Sequence, residues 1–382
     1  MNPQIRTTIK CIIGQLNQQF FERETIIKAC WAAILSRSHI LLLGAPGTAK
    51  SAIISSICKR ITGTSYFEWL LTRFSTPEEL FGPVSLKGLE NDEYRRITTN
   101  KLPEAHIAFL DEIWKGGSAI LNSLLTAINE RCFDNGKIRE SIPLVSLCAA
   151  SNELPEEKEL DALYDRFILR FWVPYIQESS NWCSLIASAV PTKYDPATNM
   201  PKPDSGPTTI TLSDLEKAQV NVMSVKFPEA VINTMRDIKM TLEREGVVAS
   251  DRRWKQTVRV LQAWAWLDGR DEVTEQDLEL LCEMLWKEPE QRPVLVSKIL
   301  SVTNPLDLEA TKFYDDCLSV FSQFSPDCAS STKEEVAAKL RSALEKIDNT
   351  LKIADPVKTK KMKEVRESIK SWYKQVIITL EL

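Results

Sequence analysis

The segment Gly44-Ala-Pro46-Gly47-Thr48-Ala49-Lys50-Ser51 holds the densest set of chemically useful residues in the chain. A glycine-bearing turn leading into a helix aims several backbone N–H groups and the positive end of the helix dipole at one point, which is what a polyphosphate needs. In such a cradle Gly44, Pro46, Gly47, Thr48 and Ala49 shape the loop, Lys50 reaches the β- and γ-phosphates, and the Ser51 hydroxyl ligates Mg2+. Ala49 stands where a glycine is expected, just before the lysine. Its methyl group predicts a backbone already helical at that residue and not at positive φ.

A second constellation is acidic. His106-Ile-Ala-Phe-Leu110 is an apolar run that ends in Asp111-Glu112, and side chains at the carboxyl end of a parallel strand emerge into the crevice where ligands bind. Asp111 would hold the magnesium shell, directly or through water, while Glu112 would orient and deprotonate an attacking water. Asn152, after the apolar run Leu144 to Ala150, can hydrogen-bond a γ-phosphate or that water. Arg166, in Leu163-Tyr-Asp-Arg-Phe167, would sit on a rim from which it could reach a neighbouring subunit's nucleotide and stabilise transition-state charge. Each feature has a plainer alternative: a helix start for Asp111-Glu112, an Asx turn for Asn152, a surface ion pair for Arg166. Their order downstream of one phosphate loop makes the set specific.

The positioning elements follow from periodicity. His39-Ile-Leu-Leu-Leu43 is short, continuous and apolar, as in a parallel strand buried on both faces, and similar runs recur at Ile107 to Leu110, Pro143 to Ala149 and Ile168 to Val173. Helical stretches lie between them at 52–60 and 117–129, and a helix or helix pair over 9–37 precedes the first strand, so the fold class is α/β with three layers. Asn135-Gly136 predicts a hairpin over 132–144 with a type I′ turn. A polar stretch at 86–99 is a second insertion, and both inserts are expected on the nucleotide-side surface. Five prolines between Pro191 and Pro207 read as a linker. This gives an α/β core over 1–190, a linker over 191–207, an α-helical lid domain over 208–286 and a helical C-terminal region over 287–382. In the lid, Ser213 with Glu216 and Thr274 with Asp277 resemble capped helix starts. In the last region Val336, Leu340, Leu344, Ile347 and Leu351 share one face, and Asp355-Pro356 turns the chain into a helical hairpin.

Composition narrows the function. The 382 residues are 43% hydrophobic and 26% charged, and 48 basic against 52 acidic residues leave a net charge of −4. That is a globular protein without the positive field of a nucleic-acid coat. Only His39 and His106 supply imidazoles, both inside apolar runs, and the nine cysteines show no C-x-x-C pair. His-based metal sites, Ser-His triads and disulfide frameworks are thereby disfavoured, and the thiols read as reduced, mostly buried residues. No apolar run nears the ~20 residues of a membrane helix, and no signal peptide is evident, so a cytoplasmic location is expected.

Six ordered blocks resemble the MoxR branch of the AAA+ ATPases: Gly44 to Ser51, Thr72-Arg-Phe-Ser-Thr-Pro-Glu-Glu-Leu-Phe-Gly82, Leu102-Pro-Glu104, the strand with Asp111-Glu112, Leu124-Leu-Thr-Ala-Ile-Asn-Glu130 and Ala149-Ala-Ser-Asn152. Asp111-Glu-Ile-Trp-Lys115 is similar to the RavA subgroup, although 287–382 offers no strand series matching the β-rich module of that subgroup. The resemblance implies an AAA+ P-loop core with small inserted hairpins, then an all-α lid, and a ring, a hexamer in this family, that hydrolyses ATP with Mg2+ at subunit interfaces. Gly47, Lys50 and Ser51 become Walker A residues, Asp111 and Glu112 Walker B, Asn152 sensor 1 and Arg166 an arginine finger. It further implies sensor 2 at Arg252, reaching back to the γ-phosphate, with Arg253 as the fallback, and adenine packing by Phe20 and Phe21, which equally read as core aromatics. The inserts would face a central pore, and the partner would be a protein client or a von Willebrand A-domain protein. Two other classes stay open: a nucleic-acid or restriction-type NTPase motor using Lys87, Arg95, Arg96, Lys137 and Arg139, and a non-hydrolysing nucleotide-gated scaffold.

Overall fold

A computed structural model describes residues 3–155, 160–189, 207–325, 329–353 and 359–380. The strands in chain order are β1 (His39–Leu43), β2 (Ile61–Thr62), β3 (Tyr66–Leu70), β4 (Ile107–Asp111), β5 (Cys132–Asn135), β6 (Ile138–Ser141), β7 (Ser146–Ser151), β8 (Phe167–Trp172) and β9 (Ile210–Thr211). The helices begin with α1 (Pro3–Gln19), α2 (Glu24–Leu35), α3 (Lys50–Cys58), α4 (Pro77–Phe81), α5 (Leu86–Glu90), α6 (Ser118–Glu130), α7 (Asp161–Tyr164) and α8 (Ser179–Ala189). They continue with α9 (Leu212–Met223), α10 (Glu229–Arg244), α11 (Asp251–Asp268), α12 (Arg292–Thr303), α13 (Pro305–Phe321), α14 (Ser330–Ile353) and α15 (Lys360–Leu380).

Five strands form one sheet in the order β3-β4-β7-β1-β8, with every neighbouring pair parallel. All five residues of β1 are buried, and each fully buried leucine there contributes roughly 1.5–3 kcal/mol. The edge strand β3 lies outside the sequence expectation. Its Tyr-Phe-Glu-Trp-Leu run is only half buried, with Glu68 and Leu70 exposed, so it lacks the continuous apolar signature of the inner strands.

Chain direction locates the inserts. The helix α6 starts beyond the carboxyl end of β4 and runs back for 13 residues, roughly 20 Å, which spans the height of the sheet. Its C-cap Arg131, at φ 51, donates to Leu144 O and to Arg37 O at 2.6 Å, both just ahead of strands. The β5–β6 hairpin therefore leaves from the strand N-termini, opposite the 44–51 loop, and not from the nucleotide-side surface as expected. Its turn also differs: Asn135 pairs with Ile138, leaving Gly136 and Lys137 as the loop, with positive φ only at Gly136. That is the pattern of a II′ turn and not I′. Asn135 is instead 4% exposed and its amide accepts from Arg96 N at 2.7 Å and donates to Arg96 O at 3.3 Å, tying the hairpin to the 86–99 insert.

By internal contact the chain divides into Met1–Val231 with Val248–Pro289, and Ile232–Val247 with Glu290–Leu382. The helices α9 and α11 thus belong with the sheet, and the span expected as a lid is shared between the units. Thr211, not Ser213, caps α9, accepting from Asp214 N at 3.1 Å, because residues 210–211 are already extended against β2. Thr274 and Asp277 do form a capping box, at the start of a 3-10 helix. In the second unit α14 and α15 pack against each other as the expected hairpin, and α13 joins them around Leu340, Ile347, Met362, Ile369 and Val376 to complete a three-helix bundle. The proline-rich segment up to residue 206, and Asp355-Pro356, lie outside the described residues. Among the described residues no helix is long and apolar enough to cross a membrane.

Candidate functional site

The 44–51 loop is shaped by three positive-φ residues. Gly44 sits at φ 146, and a Cβ there would lie 2.4 Å from Val173 O, so only glycine lets β1 turn beside the end of β8. Gly47 has φ 79 and Ala49 has φ 68, ψ 20. Ala49 is therefore left-handed, which overturns the helical backbone expected from its methyl group. The turn geometry overrides a local preference of roughly 1–2 kcal/mol. Helix α3 begins only at Lys50, and no side chain caps its first N–H groups, so they are free for an anion. Thr48 Oγ1 donates to Ala45 O at 2.9 Å and braces the loop, and Tyr175 Oη donates to Pro46 O at 3.2 Å.

Lys50 folds back over the loop, 8% exposed, donating to Gly44 O at 2.6 Å, Ala45 O at 2.9 Å and Asn152 Oδ1 at 3.2 Å. Burial lowers its pKa, against the opposing pull of Asp111 and Glu112. Burial raises the Asp111 carboxyl above its ordinary value, while the bond from Glu112 N at 3.0 Å acts the other way. Glu112 is held at φ 52, ψ 45, a conformation costly for this residue and typical of sites where a side chain must be aimed. Asn152 Nδ2 donates to Glu112 Oε1 at 2.5 Å. Glu112 Oε2 is buried without a hydrogen-bond partner, although Lys115 Nζ lies 3.3 Å away. Lys50, Asn152 and Glu112 thus form one chain across the ends of β1, β7 and β4.

Arg166 and Arg252 lie elsewhere. Both line a cavity of about 360 Å³ with Ser36 to His39, which precede or open β1, and with Asn129 at the end of α6. This is the N-terminal end of the strands, whereas the 44–51 loop follows their carboxyl end. Arg252 Nη2 donates to Asn129 Oδ1 at 2.8 Å. The structure does not bring Arg252 to the chain's own phosphate loop, contrary to the expectation of a reach back to the γ-phosphate. The cause is the placement of α11, which packs on α2 and begins beside the entrance to β8. Arg253 is no substitute: 3% exposed, it donates to Asp165, Phe167 O, Ile168 O and Met284 O as an internal brace.

Comparison with known proteins decides the family. Residues 7–196 match the model of the MoxR domain in the MoxR-vWA-beta-propeller ternary systems, and residues 230–300 match an AAA lid domain. An uncharacterised protein of Methanocaldococcus jannaschii is 39% identical over 82% of this chain and 81% of its own length. The chain belongs to the MoxR family of AAA+ ATPases. A second uncharacterised protein of that organism is 41% identical over 79% of this chain and 76% of its own. A structural protein of Acidianus two-tailed virus is 32% identical over 44% of this chain and 28% of its own. In fold, a candidate ATPase from Cytophaga hutchinsonii superposes with a TM-score of 0.62 at 17% identity, covering 79% of this chain and 96% of that one.

For a MoxR protein the remaining candidates fall as follows. Phe20 and Phe21 are half-buried in the turn before α2. That turn is tied to the segment after β8: Glu22 accepts from Gln177 N and Glu178 N at 2.9 Å, and buried Arg23 donates to Pro174 O at 2.5 Å. The aromatics thus belong to the same sheet end as Pro46. Among the described residues no three His, Cys, Asp or Glu gather as a metal cage. The Ser51 hydroxyl at the start of α3 and the Asp111 carboxyl at the end of β4 are oxygen donors of the kind Mg2+ takes, a cation that keeps waters and phosphate oxygens and uses few protein ligands. Lys115, Tyr175 and Asn129 acquire their partners only in the fold. Only Lys115, three residues after Glu112, carries a readable signal in the sequence.

Proposed function

We propose that the chain binds ATP with Mg2+ and hydrolyses it where copies meet in a ring, a hexamer by family resemblance, and that this cycle remodels or assembles a protein partner. The observation that carries the reading is the Lys50–Asn152–Glu112 chain, with bonds of 3.2 and 2.5 Å, linking the three segments that would touch a γ-phosphate.

The uncapped N–H groups of α3 and the Lys50 ammonium take the β- and γ-phosphate oxygens. Asn152 holds Glu112 through Oε1 and leaves Oε2 to accept a proton from the attacking water. The hydroxide so formed adds to the γ-phosphorus as the bond to the β-bridging oxygen breaks, giving ADP and phosphate. Ser51 and Asp111 would hold Mg2+, which would supply neutralisation of the phosphate charge. Arg166 and Arg252, at the far end of the sheet, are offered to the nucleotide of a neighbouring copy. Phe20 and Phe21 pack the adenine.

A von Willebrand A-domain protein is the favoured partner, because the matched family model is named for systems that contain one. The motif Asp111 to Lys115 supports placement near the RavA subgroup. A nucleic-acid motor is less well supported, since Arg96 and Arg139 on the inserts are engaged by Glu78 and Glu130. The test is ATP hydrolysis against protein concentration. The rate per subunit should fall on dilution and on Arg166→Ala substitution, and Glu112→Gln should bind ATP without turnover and retain the partner. A rate per subunit constant down to monomer would refute the interfacial site, and steep, salt-sensitive stimulation by DNA or RNA would favour the motor.

A further inference from the structure

Two cations of the far cavity, half-buried Arg166 and exposed Arg252, are each the immediate neighbour of a residue in one ion pair between buried Arg253 and half-buried Asp165. Asp165 precedes Arg166 and Arg253 follows Arg252, and Asp165 Oδ1 lies 3.2 Å from Arg253 Nη1. Arg253 adds bonds to Asp165 O at 3.1 Å, Phe167 O at 3.1 Å and Ile168 O at 3.0 Å, and a further bond to Met284 O. Buried Arg170 closes the cluster, 4.0 Å from Asp165 Oδ1 and stacked 3.7 Å over the Tyr164 ring. The first turn of α11 is therefore pinned to the entrance of β8 by a guanidinium that cannot shift without breaking several bonds. Around the cavity stand Arg37, Arg131, Arg166, Arg252, Lys255 and Arg259, with no carboxylate in the lining. Arg166 and Arg252 repel each other there, and Arg166 Nε is buried without a hydrogen-bond partner. Two like charges held together without a counter-anion need an outside restraint.

We propose that Asp165 and Arg253 are positioning residues: their ion pair, linking the residues next to Arg166 and Arg252, holds both guanidiniums over a single polyphosphate presented by a second copy of the chain. This rests on the interfacial reading above and deepens it. The prediction is a division of labour, in which Arg166 and Arg252 touch the anion while Asp165 and Arg253 act only through them. Misplacement by about 1 Å costs a reaction on the order of 10²-fold.

The test uses full-length chains in mixed assemblies. An acceptor carrying Arg166→Ala and Arg252→Ala keeps its phosphate loop but lacks the cations. A donor carrying Lys50→Ala keeps the cations but cannot hold ATP. Hydrolysis in the mixture then reports donor cations acting at acceptor loops. Adding Asp165→Asn to the donor should lower that rate roughly 10- to 100-fold with the acceptor's KM for ATP within two-fold. Arg253→Lys, which keeps the charge but loses carbonyl bonds, should give an intermediate loss. Leu261→Ala empties a buried position of α11 eight residues beyond Arg253, so its donor should lose stability yet keep its rate within three-fold. An unchanged rate with Asp165→Asn, or an equal loss with Leu261→Ala, would overturn the positioning role. Failure of the parent donor to activate the acceptor would instead overturn the interfacial reading, and the inference with it.

Discussion

Ala49 offers a quantitative check on the phosphate loop because its conformation opposes its chemistry. At φ 68, ψ 20 it is left-handed, a state costing an L-residue roughly 1–2 kcal/mol. Glycine removes that cost but gives the unfolded chain more freedom, which takes back about 0.4–1 kcal/mol. Ala49→Gly should therefore stabilise the fold by about 0.5–1 kcal/mol. Ala52, three residues on, is exposed within α3, and the same substitution there should cost about 1 kcal/mol of helix propensity. Identical chemical changes thus act with opposite signs, and the two variants should differ by roughly 3–8 °C in Tm for a unit of this size. Thermal and urea unfolding of the full chain, followed by tryptophan fluorescence, makes the comparison. Equal destabilisation by both glycines would mean that residue 49 is helical and would refute the left-handed turn.

Other consequences follow. Asn152→Ala removes the clamp on Glu112 and should lower kcat by roughly 10²–10³ while leaving ATP affinity within a few-fold, separable by single-turnover and equilibrium-binding measurements. Burial, and then the nearby charge of Arg131, hold His39 neutral, its pKa lowered from 6.5 to about 3. The unfolded chain binds a proton there first, so this stability is complete above pH 6.5 and is lost at about 1.4 kcal/mol per unit as pH falls toward 3. Urea midpoints at pH 7, 6 and 5 should show that slope, and His39→Gln should flatten it. A Cβ on Gly136 would lie 1.8 Å from Tyr94 O, so Gly136→Ala should cost roughly 1–3 kcal/mol and open the 86–99 insert to proteolysis. Unchanged cleavage would refute the coupling of the two inserts.

What was legible in the sequence was what depends on near neighbours. The fully buried β1 announced itself by its apolar run, and the Thr274–Asp277 capping box by its spacing. Lys50, Asp111, Glu112 and Asn152 meet because parallel strands deliver their carboxyl ends to one edge, which strand order alone implies. The edge strand β3 escaped because half-burial leaves Glu68 and Leu70 facing out, and Ala49 because turn closure outweighs a methyl preference. Arg252 escaped for a different reason. Its motif is local, but its destination is set by how α11 packs on α2, a long-range relation that spacing does not encode.

That relation bears on why one copy is incomplete under the proposed mechanism. The phosphate loop leaves the carboxyl end of β1, while Arg166 and Arg252 share a cavity with the residues that open the same strand. Five residues of β-strand separate the two ends, roughly 16 Å, and both cations adjoin the Asp165–Arg253 ion pair. An arginine side chain, about 7 Å long, cannot carry either guanidinium that far by rotation. The same parallel sheet that gathers the acceptor groups at one end exports the cations to the other, so a second chain, packed end to end, is the economical way to bring both to one phosphate.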